Sequence, residues 1–266
     1  MNASGFIFDG INSEIYDLLI CYFSNSSGVN NITSIGEIDV ITDKATCSSK
    51  WKHYNTTYSK PLEFSFQISK KTFKEFDTRE QANINRWLVK FDDYKWLQFN
   101  DPEYFNIYYN VKCTKLEKME INHKCYGFEV TFIADSAFGY SPEIRKKFDI
   151  TKPNQVEFIT NNSNELGCIY PLITVKVNSD CDFFIANTFT GEKIELHNCL
   201  ADEIIIFDNE NKIITSSKRK AHKLHSDFNF SWFKLYNSIT NRKNQLIFSG
   251  NTLVEFTYRE IRKVGV

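Results

Sequence analysis

Cys113, His123 and Cys125 are residues whose types could hold a metal. Asn122-His123 sits where a two-residue hairpin turn would fold, so both thiols and the imidazole could meet across paired strands. Zinc wants a fourth ligand and stricter spacing. A turn histidine beside two partly buried thiols is therefore the preferred reading, and no metal site is assigned. His197 and Cys199 are two apart on an expected strand, hence on one face, and packing is preferred there too. His222 and His225 lie in SSKRKAHKLHSDF, a basic cluster that could touch phosphate or an acidic partner. The plainer reading of that cluster is a solvated loop between strands. Asp135 ends a strand, but spacing alone names no second carboxylate to complete a glycosidase pair. Trp232, in NFSWFKLYN, could stack on a sugar ring, yet its alternation with Phe230 reads as core.

No phosphate-binding glycine loop, zincin motif, nucleophile elbow or paired CxxC is visible. No catalytic residue and no cofactor is assigned, and the chain is read as a non-enzyme. The 32 Lys+Arg nearly balance 33 Asp+Glu, for a formal net charge of -1, which argues against specific nucleic-acid binding. Runs such as LLICYF and EIIIF are too short to cross a bilayer, so no membrane partner is expected. The opening MNASGFIFDG lacks the basic and apolar regions of a secretory signal. Seven irregularly spaced cysteines fit reduced thiols better than a disulfide framework. Synthesis in the cytosol is the expectation that follows.

The elements that would carry these residues are mostly strands. At 266 residues, with 24 Phe and 13 Tyr, the chain favours two ordered, strand-rich domains. GFIFDGINSE and YDLLICYFS read as short strands about an Asn/Ser turn, and SIGEIDVITDK, with Ile35, Glu37, Asp39 and Ile41, reads as a hairpin arm. KPLEFSFQISKK sets Leu62, Phe64, Phe66 and Ile68 on one face, the period of a half-buried strand. DTREQANINRWLVKF is the exception. Asp77 and Thr78 both offer N-caps, and Thr78 with Gln81 has capping-box spacing. Ile84, Trp87, Leu88 and Phe91 then form one apolar stripe, which predicts a helix laid across a sheet.

Strand character resumes with KWLQF and a long hairpin through YYNVKCTKLEKMEINHKCYGFEVTF. Residues 136–155 lose the alternation and contain Pro142 and Pro153, so the boundary is placed near residue 145. The expected domains are 1–145, strand-rich with one α-helix, and 146–266, an antiparallel β-sandwich built from short strands. The last strand, EFTYREIRKV, either closes the second domain or returns to the first.

Several of these segments, in this order, resemble one family, the distal tail proteins of long, non-contractile-tailed bacteriophages of Gram-positive bacteria. The opening is similar to that family's F-x-F/Y-x-G-x-x-S start through Phe6, Phe8, Gly10 and Ser13, and continues through Ile20, Cys21 and Phe23. Tyr58, Pro61, Leu62, Phe64, Ile68 and Lys70 match its Y-x-x-P-L-x-F-x-x-x-I-x-K block. INRWL, the long hairpin, DSAFGYS, YPLITVKV, FNFSWFKLYN and REIRKVGV follow in family order.

The resemblance implies a mainly β, two-domain structural adaptor in the virion tail tip. Its first domain, a β-sandwich with one α-helix and an extended hairpin, would form a homo-hexamer ring between the tail tube protein and the tail-tip hub protein. Its second, galectin-like in shape, would project as a platform for receptor-binding proteins of the baseplate and so serve host adsorption. The arm around Ile35, Glu37, Asp39 and Ile41 is the candidate for reaching the next subunit by strand addition. The loop with Lys218, Arg219, Lys220 and Lys223 is the candidate contact for an outer partner. The competing reading is a cell-wall carbohydrate-binding module or glycosidase of β-sandwich fold.

Overall fold

The computed structural model describes residues 4–21, 38–44, 46, 49–90, 92–101 and 106–263. Strand accounts for 54% of the chain and helix for 8%, which makes it mainly β. The chain divides into two compact units, Met1–Tyr140 with Arg262–Val266, and Ser141–Ile261. The passage between them lies at Tyr140–Ser141, and residue 145 is inside a strand of the second unit.

In the first unit the strands are β1 (Phe6–Phe8), β2 (Ile11–Asn12), β3 (Leu18–Cys21), β4 (Ile38–Asp43), β5 (Lys52–Tyr58) and β6 (Glu63–Lys70). Helix α1 (Thr78–Leu88) follows, then β7 (Lys95–Phe99), β8 (Tyr109–Ile121), β9 (Lys124–Ala134) and β10 (Gly139–Tyr140). Seven of these strands make one antiparallel sheet in the order β2-β1-β7-β8-β9-β6-β3. A turn of 3-10 helix at Ser13–Tyr16 joins its two ends, and the Ile20 N–H donates to the Ser4 carbonyl at 3.2 Å. The sheet thus nearly closes on itself and hides edges that would otherwise be left open. Its inward side chains, among them Phe6, Phe8, Phe64, Phe66, Tyr109 and Phe132, make an aromatic core.

Helix α1 is laid against that core by the stripe read from the sequence. Ile84, Trp87 and Leu88 are buried, while Phe91 lies outside the described residues. Trp87 stacks on Phe6 with centroids 5.4 Å apart and on Tyr16 at 4.8 Å, and its Nε1–H donates to the Phe8 carbonyl at 3.1 Å. The capping box is one residue earlier than the spacing of Thr78 and Gln81 suggested. Asp77 accepts from the Glu80 N–H at 2.7 Å, and the Glu80 carboxylate accepts from the Asp77 N–H at 2.8 Å. Either residue could cap. The box goes to the pair whose third position carries a carboxylate.

The second unit holds β11 (Ile144–Ile150), β12 (Gln155–Thr160), β13 (Gly167–Ile169), β14 (Leu172–Val177), β15 (Cys181–Asn187) and β16 (Glu192–Cys199). They are followed by β17 (Ile204–Asp208), β18 (Ile213–Ser216), a short helix α2 (Leu224–Asp227), β19 (Leu235–Asn237), β20 (Lys243–Ser249), β21 (Thr252–Tyr258) and β22 (Ile261–Arg262). A five-stranded sheet, β11-β21-β14-β17-β18, and a four-stranded sheet, β12-β20-β15-β16, share one apolar core that includes Val175, Ile185, Phe207, Phe248 and Phe256. β21 lies inside the five-stranded sheet, and the chain from Arg262 onward is counted with the first unit.

Candidate functional site: an exposed arm and a mounted basic loop

β4 and β5 form a two-stranded sheet of their own, which has no ladder to any other sheet among the described residues. Asp39 and Ile41 belong to β4; Ile35 and Glu37 lie outside the described residues. Every residue of β4 is exposed, so neither face is covered, and adjacent Val40 and Ile41 are open at 56% and 51%. Trp51 and Tyr54 are exposed at 66% and 63%. At the base, the Tyr58 ring meets Phe138 edge-on at 4.6 Å, fixing where the arm leaves the first unit. An isolated two-stranded hairpin is marginal in water. One carrying this much uncovered apolar surface is built to be covered.

A second open feature is β8. β7 pairs with it only as far as Val111, and from Lys112 to Ile121 its ladder partner is β9 alone among the described residues. Lys115, Glu117, Lys118 and Glu120 stand along that stretch and are exposed, the charge pattern that keeps an edge from pairing indiscriminately. The hairpin closes through Asn122 and His123, both at positive φ, 52° and 64°. Its register does not bring the three candidate metal ligands together. Cys113 faces Phe132 and Cys125 faces Glu120, while His123 is at the tip. No cluster of three metal-ligating side chains occurs among the described residues.

Elsewhere on the first unit, an open cleft of about 240 Å³ lies between the 3-10 turn and α1, lined by Tyr16, Phe76 and Ile84 with Asp17, Glu80 and Asn83. Glu80 there is already engaged by the helix cap and by Lys70 at 2.6 Å. Asp135 accepts from Asn110 at 2.7 Å and from the Tyr140 hydroxyl at 3.0 Å, and burial pushes its carboxyl up.

The basic loop of the second unit is not the freely solvated segment its composition suggests. His222, in its middle, is buried. The ring's Nδ1 is 2.8 Å from Glu203 Oε1, and its Nε2 is 2.8 Å from the His197 carbonyl. Both ring nitrogens thus face oxygen atoms. Glu203 is itself fully buried, and accepts also from the Leu200 N–H at 2.9 Å and the Ser216 hydroxyl. Burial alone would raise its carboxyl, but the hydrogen bonds from Leu200, Ser216 and His222 outweigh it and leave Glu203 below its ordinary value. Lys218 donates to the Ala201 carbonyl. Arg219, Lys220 and Lys223 make no ion pair among the described residues, so three cations are presented on a loop pinned from beneath.

Two sequence expectations in this unit need correction. His197 and Cys199 are not on one face: a bulge at Asn198, with φ of 55°, leaves His197 exposed and Cys199 buried. Phe230 is not core either. It stands at positive φ and is exposed, on a segment that is not a strand, while Phe228 and Phe233 are buried and Trp232 is half-buried against Phe228 at 5.3 Å. No sequence signal marks His222 as buried, because its acceptors are brought to it by tertiary structure.

Residues 1–136 match a family described as the phage tail protein N-terminal domain, and residues 138–258 match the phage tail C-terminal domain. The chain belongs to a phage tail protein family. Among solved structures, the fold of this tail protein is similar to that of SPP1 Dit (gp 19.1), described as a paradigm of the hub adsorption apparatus in phages infecting Gram-positive hosts. That match has a TM-score of 0.62 and 11% identity, over 96% of this chain and 98% of that one. It is also similar to a chain of the phage P2 baseplate in its activated conformation with Ca, with a TM-score of 0.56 and 9% identity over 98% of this chain and 99% of that one. The same baseplate with Sr gives a TM-score of 0.54 and 10% identity over the same shares. No curated protein sequence matches the chain. By family it is therefore a phage tail protein, and its fold is similar to that of the SPP1 Dit and P2 baseplate chains.

Proposed function

We propose that this tail protein is a non-catalytic adaptor at the virion tail tip, forming a closed homo-hexamer between the tail tube protein and the tail-tip hub protein. The observation that carries the reading is the arm. β4, β5 and the residue just before β5 expose Val40, Ile41, Tyr54 and Trp51 with no cover among the described residues, and a second copy is the natural occupant of such a surface. The open stretch of β8 supports it, since a neighbour can complete the ladder by strand addition. Head-to-tail contacts of this kind close into a ring when the rotation between subunits allows. The reading is supported by the near-complete coverage of SPP1 Dit and of the P2 baseplate chain, proteins named for a hub adsorption apparatus and a baseplate. The second unit, which we take as galectin-like in shape, is the outer platform, with Arg219, Lys220 and Lys223 as its candidate contact to a receptor-binding protein.

Negative-stain images of the purified protein test the reading. Six-fold rings with a central hole are the expected result. Open filaments or isolated single chains at every concentration would overturn it.

A further inference from the structure

Cys181 and Cys199 stand directly opposite one another where β15 and β16 pair. The bulge at Asn198 turns His197 outward and returns Cys199 to the interior, where it is buried in the same inward row as Leu196. Cys181 begins the inward row of β15 that continues with buried Phe183, and is itself half-buried. Opposed residues of an antiparallel ladder have Cα atoms roughly 4.5–5.5 Å apart, within the range of about 4.4–6.8 Å that a disulfide spans. Both thiols are free in this structure. Neither is used by the assembly reading.

We propose that Cys181 and Cys199 are a redox modification site, a dithiol that a small-molecule disulfide such as oxidised glutathione closes into a cross-strand bond. Cys181, the more accessible of the two, attacks one sulfur of the oxidant as a thiolate. This forms a mixed disulfide and expels one glutathione. Cys199 then attacks Cys181 Sγ, forming the Cys181–Cys199 bond and expelling the second glutathione. Two electrons pass to the oxidant, and the protons lost by the two cysteines end on the two released thiols. Burial pushes both thiols up, and the carboxylates of Asp182 and Asp180 push Cys181 further, so the exchange speeds up as pH rises.

The bond has a structural consequence at the basic loop. β16 is the edge of its sheet, and its free rim is where the loop is mounted. Leu196 bridges to Phe228, the Glu195 carbonyl accepts the Asn229 N–H at 3.2 Å, and the His197 carbonyl faces His222. A bond from Cys199 to Cys181 staples the end of that rim to the next strand. The dithiol persists where glutathione is reduced, and the staple closes when the protein meets an oxidising medium.

The test uses the full-length protein, reduced and then incubated with oxidised glutathione at about pH 8, where more of each thiol is ionised. Intact mass and peptide mapping are read. The expected product is lighter by two hydrogens, contains a peptide pair joined through Cys181 and Cys199, and is not formed by Cys181→Ser. An unchanged mass, glutathione adducts that persist on either cysteine, or a bond between other cysteines overturns the proposal. The wild-type peptide map decides the matter even if the serine variant does not fold.

Discussion

Replacing Trp87 weighs the packing that makes α1 part of the first core. Its indole is buried, stacked on Phe6 and Tyr16, and donates its N–H to the Phe8 carbonyl. Truncating a buried tryptophan to alanine costs about 3–5 kcal/mol in lost burial and in the cavity left behind. Trp87→Phe keeps much of the apolar volume but loses some packing and the hydrogen bond to the Phe8 carbonyl, which contributes about 0.5–1.5 kcal/mol. Trp87→Ala should therefore destabilise the first unit by about 4 kcal/mol, with Trp87→Phe near 2 kcal/mol. Urea unfolding followed by far-UV circular dichroism reads both from the midpoint shift at constant slope. The two units can unfold separately, so the comparison is made on the transition that moves. An alanine variant within about 1 kcal/mol of the parent, or a phenylalanine variant as damaged as alanine, would refute the packing account.

Two further variants address local devices. Asp77→Ala removes the N-cap acceptor of α1 and should cost about 1 kcal/mol in the same transition; a loss below a few tenths would mean that Thr78 takes over the cap. Glu203 has a depressed folded pKa, so its contribution is complete above the unfolded value of about 4.3 and is lost as pH falls through the folded value. The second unit should weaken on acidification below roughly pH 5, and Glu203→Gln should flatten that dependence. Equal slopes for parent and variant, in unfolding measured across a pH series, would show that other carboxylates carry the acid response.

The legible parts of this fold were those set by neighbours in the chain. The stripe of Ile84, Trp87 and Leu88 follows helical periodicity, and the inward row of Leu62, Phe64, Phe66 and Ile68 follows strand periodicity, so both emerge from local spacing. What the residues could not disclose depends on distant partners. The bulge at Asn198 reverses the face of Cys199 relative to His197, and nothing in HNC announces it. His222 sits among lysines, which signal solvent, yet Glu203 and the end of β16 draw it inside. The capping box moved by one residue because two adjacent side chains were both competent. SIGEIDVITDK reads as one arm of a hairpin, but its partner strand, Lys52–Tyr58, carries no such alternation. The pair's isolation from the other sheets is a property of the tertiary arrangement alone.

The central claim is that the arm joins copies of this chain into a closed ring. The most direct measurement is solution mass by light scattering over a concentration series, for the parent and for a variant with Val40, Ile41, Trp51 and Tyr54 replaced by serine or threonine. These side chains are exposed within a single chain, so the variant should keep the parent's far-UV circular dichroism and a cooperative unfolding transition. The account predicts a six-chain mass for the parent and a one-chain mass for the folded variant. A parent that stays a single chain at every concentration, or a variant that still assembles, would contradict it.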